Sequence, residues 1–390
     1  MPEVAGIRSV LDGQILGRLD RWRKARAVFV RPDGLEAERA ISQALGRAWT
    51  RAPIYGRARR ILVERTAEKL LSSLEERLGP LAARVRVAPE DPGQTKWDAM
   101  GNLAPLPGAG REVRALWLVD VLQSGELFVE FQPVFLLSSR DPLGFEGLIR
   151  ARASDGLVHL AAEIFPAAHA LRIETEFERI SWVRVLEAAA RLPLDSLLFL
   201  NVNPRLLVAG EEGLAALGQE AERVQFPYTR LALDLVEIER VESLDRLRPM
   251  LTVPRDLGVS IALDDVTSGY ETLKYCEGLA PEWIKVDSAI TRGIAGDPRR
   301  RAILKFLSQV AGDASFRLIA EGIECAEDLE VCAEEGVAAA QGYFLARPAA
   351  EAPEASAEFQ RWVTLRERRE ESAVAQAPSA AAEKEPELDF

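Results

Sequence analysis

Histidine is almost missing from the 390 residues: only His159 and His169 occur, and neither has an acidic or cysteine neighbour at the spacing of a triad or a zinc motif. Histidine-centred catalysis is therefore set aside, and acid or base chemistry has to come from carboxylates or lysine. Cysteine is nearly as scarce. Cys276, Cys325 and Cys332 neither pair evenly nor show structural zinc spacing, which agrees with a reducing compartment and leaves them as core or surface residues. No stretch approaches the roughly 20 apolar residues that cross a bilayer. The amino terminus also lacks a basic-then-apolar export pattern, so a cytoplasmic protein with no membrane partner is expected.

With 48% hydrophobic residues the chain can bury a sizeable core. A prior of about 100 to 200 residues per domain suggests two domains, one of which could be a barrel of about 250 residues. The net charge of −12 hides an asymmetry, because residues 1–88 hold 18 Lys and Arg against 10 Asp and Glu, leaving 31 against 51 for the rest. An acidic body repels nucleic acid and anionic membranes but attracts metal ions. In the basic segment aromatic residues are sparse and no helix-turn-helix glycine turn stands out. DNA binding is set aside there in favour of a regulatory or dimerising module that could receive a protein partner.

Apolar residues recur at helical spacing from Leu35 to Leu45 and from Ile61 to Leu81, which predicts a mainly helical domain over residues 1–88. Residues 89–110 concentrate proline, glycine and polar side chains and are expected to form a linker. A barrel domain is expected over residues 111–365, and residues 371–390 are expected to be a disordered tail. Within the barrel region short apolar runs alternate with amphipathic stretches, the pattern of an α/β fold. Eight candidate strands begin near Leu127, Gly144, Ser196, Leu231, Val259, Trp283, Arg317 and Ala338. The segment LLSSRDPL between the first two is too short for a parallel crossover, so they should form a hairpin. The expectation is a modified TIM (β/α)8 barrel with one antiparallel first strand, and an open doubly wound sheet is the competing architecture.

The later strands end in polar groups where their apolar runs stop: Asn201, Asp234, Asp264 with Asp265, Lys285, Glu321 and Gln341, with Glu146 inside the second strand. Singly, each reads as a solvated turn, a surface residue or a helix cap. The repetition at one end of successive strands points instead to the carboxyl-end face of a barrel, where active sites lie. Carboxylates gathered there repel one another unless cations neutralise them. Hard divalent ions with oxygen ligands, magnesium or manganese, suit a site without histidine or thiolate.

These residues resemble the EAL-domain phosphodiesterases specific for cyclic di-GMP, a family of bacterial second-messenger signalling. The resemblance runs from about Glu130 to Pro348 and is carried in order by FQPV at 131–134, GFEGLIR at 144–150, LFLNVNP at 198–204, IALDD at 261–265, IKVD at 284–287, AEGIE at 320–324 and QGYFLARP at 341–348. It implies that Glu146, Asn201, Asp234, Asp264, Asp265 and Glu321 hold two ions, and that Glu146, Lys285 and Glu321 form the catalytic set. It further implies that Gln132, Arg150 and Gln341 contact substrate, that the product is the linear dinucleotide pGpG, and that the domain works as a homodimer. Two ions about 3.5 to 4 Å apart can activate water and stabilise the attacking and leaving oxygens of an in-line displacement.

Two departures stand out. The family's glutamate-x-threonine-glutamate strand is DLVE here, with Asp234 at the first glutamate and Val236 at the threonine, while Glu237 keeps the second glutamate. The family's aspartate-aspartate-phenylalanine-glycine-threonine-glycine loop is DDVTSG, with Val266 and Thr267 in place of the aromatic residue and the glycine. The alternative function they raise is a receptor that binds cyclic di-GMP without turnover, or a protein-interaction module.

Overall fold

The computed structural model describes residues 13–376, apart from positions 56, 64, 65, 91–94, 125, 210, 242, 268, 269 and 315. Contacts divide the chain into two compact units, one drawn from residues up to Phe128 together with Ile149–Arg184, the other from Val129–Leu148 together with residues from Val185 onward.

The first unit is built on an antiparallel sheet of β1 Ala27–Pro32, β2 Ile54–Tyr55, β3 Ala58–Leu62, β4 Val85–Pro89 and β5 Ala104–Pro105, in the order β2-β3-β1-β4-β5. Ala27, Val28, Phe29 and Val30, the first four residues of the central strand β1, are fully buried. The helix Ala67–Leu78 starts where the Thr66 side chain accepts from the Lys69 amide at 3.2 Å and turns Leu71, Leu74 and Leu78 inward at helical spacing. Strand, helix, two strands, helix and strand, with β4 returning beside β1, form a split βαβ arrangement.

Two expectations are revised here. Residues 1–88 are not helical alone, since β1 to β3 and most of β4 lie among their helices. A four-residue apolar run covered on both faces shows no alternation, so periodicity could not separate β1 from buried helix. Nor is the described part of 89–110 a linker: it holds the helix Lys96–Gly101, opened by a Thr95–Asp98 capping box, then β5 paired to β4, then the start of the helix Leu106–Arg114. Pro107 sits in that helix's first turn, where its missing amide costs nothing.

The barrel strands are β6 Leu127–Leu136, β7 Pro142–Arg152 with the short extension β8 Val158–His159, β9 Leu197–Val202, β10 Leu231–Leu235, β11 Ser260–Val266, β12 Trp283–Val286, β13 Arg317–Ala320 and β14 Ala339–Ala340. Their order is β6-β14-β13-β12-β11-β10-β9-β7-β8, and pairing of β6 with β7 closes the ring. The strands from β7 through β9 to β14 pair in parallel, whereas β6 runs antiparallel to β14, so β6 is the reversed strand. All eight strands expected from the sequence are present. Val134, Phe199, Ala232, Ala262, Trp283, Ile319 and Ala339 fill the interior as one packed layer, with Phe199 set edge-on to Trp283 at 6.4 Å between ring centres.

The helix Ala357–Gln376 follows the barrel and buries Phe359, Trp362 and Val363. It takes in residues 371–376 of the expected tail, and residues 377–390 lie outside the described residues. Among the described residues no helix is long and apolar enough to cross a membrane.

Candidate functional site

The packed layer positions the site. Side chains on a strand repeat every two residues, so the residue two places beyond each layer member points into the same interior one level higher. From Phe199, Ala232, Ala262, Trp283, Ile319 and Ala339 that step reaches Asn201, Asp234, Asp264, Lys285, Glu321 and Gln341. On the reversed strand the step runs backward, from Val134 to Gln132. Asn201 and Asp234 are direct neighbours in the β9–β10 register.

Asp264 and Asp265 are consecutive and would point to opposite faces of a regular strand. The β11–β12 register shifts between Leu263 and Val266, and Asp265 takes a left-handed backbone with φ of 52°. A bulge of this kind re-aims side chains at functional sites. As a result ligand oxygens of Asp264, Asp265 and Glu321 all lie within 4.8 Å of one another.

Lys285 is the hub. Its side chain is 1% exposed, and Nζ lies 2.8 Å from Asp234 Oδ2, 2.8 Å from Glu321 Oε1, 2.9 Å from Asp264 Oδ1 and 3.1 Å from Glu146 Oε2. Glu146 also accepts from Asn201 Nδ2 at 2.9 Å and from Gln341 Nε2 at 2.7 Å, and Gln341 Nε2 reaches Gln132 Oε1 at 3.0 Å. Asp234, although one methylene shorter than the family's glutamate, is fully buried and belongs to the cluster.

The charges do not balance. Burial opposes the charge on Lys285, but Asp234, Asp264, Glu146 and Glu321 outweigh it and hold the ammonium well above the usual lysine range. Burial likewise pushes Glu146 up, yet Lys285, Asn201 and Gln341 together hold its carboxyl below the ordinary value. The other carboxyls lack enough partners. Burial, reinforced by like-charged neighbours and only partly offset by Lys285, raises Asp264 and lifts Asp234 and Glu321 well above the carboxylate range. Burial with Asp264 and Asp287 pushes Asp265 up to about 6. Carboxyls forced to hold protons beside a single lysine are what divalent cations relieve.

The acceptors fit such cations. Asp234 Oδ1 and Gln341 Oε1 are buried without a hydrogen-bond partner among the described residues, and an ionised carboxylate oxygen can be satisfied only by a donor or a cation. An all-oxygen donor set matches a hard divalent ion.

The structure thus brings together Glu146, Asn201, Asp234, Asp264, Asp265, Lys285, Glu321, Gln341 and Gln132. Arg150 lies four residues beyond Glu146 on β7, buried, with Nη1 donating to the Ile149 carbonyl at 3.1 Å. Sequence reasoning missed Asp287, whose carboxyl hydrogen-bonds that of Asp265. Its signal was the last letter of IKVD, two residues past Lys285.

A closed eight-strand barrel with one reversed strand and an acidic, lysine-centred cluster at its carboxyl-end mouth defines an α/β barrel with a candidate metal centre. The family profile described as EAL domain matches residues 115–348, more than half of the chain, and the chain belongs to the EAL domain family. Over 242 residues it is 24% identical to the cyclic di-GMP phosphodiesterase PdeB of Shewanella oneidensis, a match covering 60% of this chain and 28% of that protein. The chain thus matches under a third of that relative's length. Among solved structures, the PaMucR phosphodiesterase in complex with c-di-GMP superposes with a TM-score of 0.56 at 21% identity, covering 60% of this chain and 97% of that one. The Bacillus subtilis YkuI protein, solved with c-di-GMP and calcium, gives 0.55 at 22% identity, covering 66% and 67%. At these identities the likeness to the two structures establishes the shared fold.

Proposed function

We propose that this chain hydrolyses cyclic di-GMP to linear pGpG at the barrel mouth with two divalent ions, magnesium or manganese. The carrying observation is the buried cluster in which one ammonium serves four carboxylates and Asp234 Oδ1 has no hydrogen-bond partner among the described residues. Glu146, Asn201, Asp234, Asp264, Asp265 and Glu321 would hold the ions, which supply an activated water and offset charge on the phosphodiester. Lys285 places fixed positive charge where negative charge grows on the phosphoryl oxygens, and its preorganisation favours the transition state over the bound substrate. Gln341 and Asn201 fix the Glu146 carboxylate by donating to both of its oxygens. Gln132 and Arg150 are assigned to substrate. The same reading makes the protein a cytoplasmic homodimer, with residues 1–88 as a regulatory or partner-binding module.

The test incubates purified protein with cyclic di-GMP and magnesium or manganese and follows the linear product by chromatography. Product is expected from the parent and is expected to vanish with Glu146→Ala or with excess chelator. Activity that survives both treatments would refute the metal-dependent mechanism.

The second reading, a receptor without turnover, is favoured by Asp234 at the family's glutamate position and by Val266-Thr267 in the loop. Because Asp234 already reaches Lys285 at 2.8 Å, Asp234→Glu is expected to change kcat by less than about tenfold, under 1.4 kcal/mol. A silent parent made active by Asp234→Glu would favour an impaired enzyme. Calorimetric binding of cyclic di-GMP with no product from either form would establish the receptor.

A further inference from the structure

Glu321 follows β13 directly, and its amide donates to the Val286 carbonyl at the end of β12 at 3.1 Å. Two other elements clamp its backbone. On one side is the one-turn helix Ser288–Thr291, whose last residue is fully buried and donates its hydroxyl to the Glu321 carbonyl. Gly322, next in the chain, has φ of +63°, and a Cβ there would sit 2.5 Å from Ser288 Cβ, so helix and turn are in close contact. On the other side Ile323 donates to the Gln341 carbonyl at 3.2 Å, and a Cβ on Gly342 would lie 2.1 Å from the Ile323 carbonyl oxygen.

The same short helix reaches the opposite edge of the acidic cluster. Its cap is Asp287, whose Oδ1 accepts the Ala289 amide at 2.5 Å and whose carboxyl also hydrogen-bonds that of Asp265. One turn of helix therefore connects Asp265 at its start with Glu321 at its end. The helix is itself anchored, since the buried Asp328 accepts the Gly293 amide at 2.7 Å and the Ala295 amide at 3.0 Å just beyond it.

We propose that Thr291 is a positioning residue for this site: its hydroxyl, through the Glu321 carbonyl, sets the separation of Glu321 from Asp264 and Asp265 and so tunes divalent-cation affinity. The inference rests on the metal reading given above. A hydroxyl in a fully buried position has no solvent to return to, so its one described bond fixes both partners. Outer groups that orient ligands commonly change metal affinity or activity by about 10 to 100-fold when removed.

The experiment titrates Mn2+ by calorimetry into the full chain without nucleotide, in the parent, Thr291→Val, Thr291→Ala and Thr291→Ser, each checked for folding by its melting transition. Thr291→Val keeps the shape and removes the donor. It is expected to weaken Mn2+ binding by about tenfold, with Thr291→Ala at least as weak and Thr291→Ser restored to within about twofold of the parent. If Thr291→Val does not fold, the contrast between the alanine and serine variants decides the point. Parent-like affinity in a folded variant lacking the hydroxyl would overturn the positioning role and leave the metal reading standing. Absence of Mn2+ binding by the parent would overturn both.

Discussion

Replacing Lys285 with methionine is expected to lower the melting transition of the metal-free barrel sharply and to remove turnover even when the fold is rescued. The ammonium is fully buried and touches four carboxylates within 3.1 Å. Methionine fills much of the volume but leaves those carboxylates with no cation, and removing one partner of a buried ionic cluster costs about 3 to 5 kcal/mol. Some of that loss is recovered when carboxyls take up protons, as Asp234 and Glu321 already tend to do. Manganese should recover more, because a ligand at one hundred times its dissociation constant adds about 2.7 kcal/mol to the folded state. Activity should not return with the fold. Loss of one preorganised charge aimed at a developing anion costs about 100 to 1,000-fold in kcat. The checks are melting curves of parent and variant in chelator and in Mn2+, followed by single-turnover assays in Mn2+. A variant that melts with the parent in chelator would show that the lysine is not neutralising the cluster. A variant that turns over normally would show that it acts only in folding.

Much of this site was legible because a barrel imposes two regularities on sequence. Each strand is a short apolar run, and the residue that ends it toward the mouth is the one that can be polar. Phe199 followed by Asn201, or Trp283 followed by Lys285, are instances of one period-two step, repeated around the ring. What could not be read was cross-strand distance. The sequence places Lys285 among the strand-end residues but does not make it the hub, a property of barrel radius and side-chain length. Asp265 is similar: a pair of adjacent aspartates reads as a turn until the bulge and the left-handed backbone show how both carboxyls reach Glu321. Asp287 was hidden because its partner belongs to the neighbouring strand. In the amino-terminal unit the difficulty was different. Its central strand is covered on both faces, and β3 carries Arg59 and Arg60 side by side, so neither offers the alternation by which strands are recognised.

Opposite pH responses are expected in the presence and absence of metal. In the metal-free protein Asp234, Asp264, Asp265 and Glu321 have raised pKa values, Asp265 at about 6. In the unfolded chain the same groups ionise near about 4. Between those values the folded state holds more protons than the unfolded one, so stability must fall as pH rises. The contribution is fully present below about pH 4 and is lost from Asp265 through about 6, with Asp234 and Glu321 extending the decline to higher pH. Manganese reverses the sign, since it binds the ionised carboxylates and expels their protons. Its apparent affinity should rise by about tenfold per pH unit for each proton displaced, until those groups are ionised. Melting temperatures at pH 5, 6, 7 and 8 in chelator and in Mn2+ should therefore diverge, the first falling and the second holding or rising. Parallel curves would mean that the carboxyls release no protons to the ion, and the charge deficit at the barrel mouth would then need another explanation. Divergence would show that the protons held by the empty cluster and the cations it binds compete for the same oxygens, which is the property a metal-dependent phosphodiesterase needs of this site.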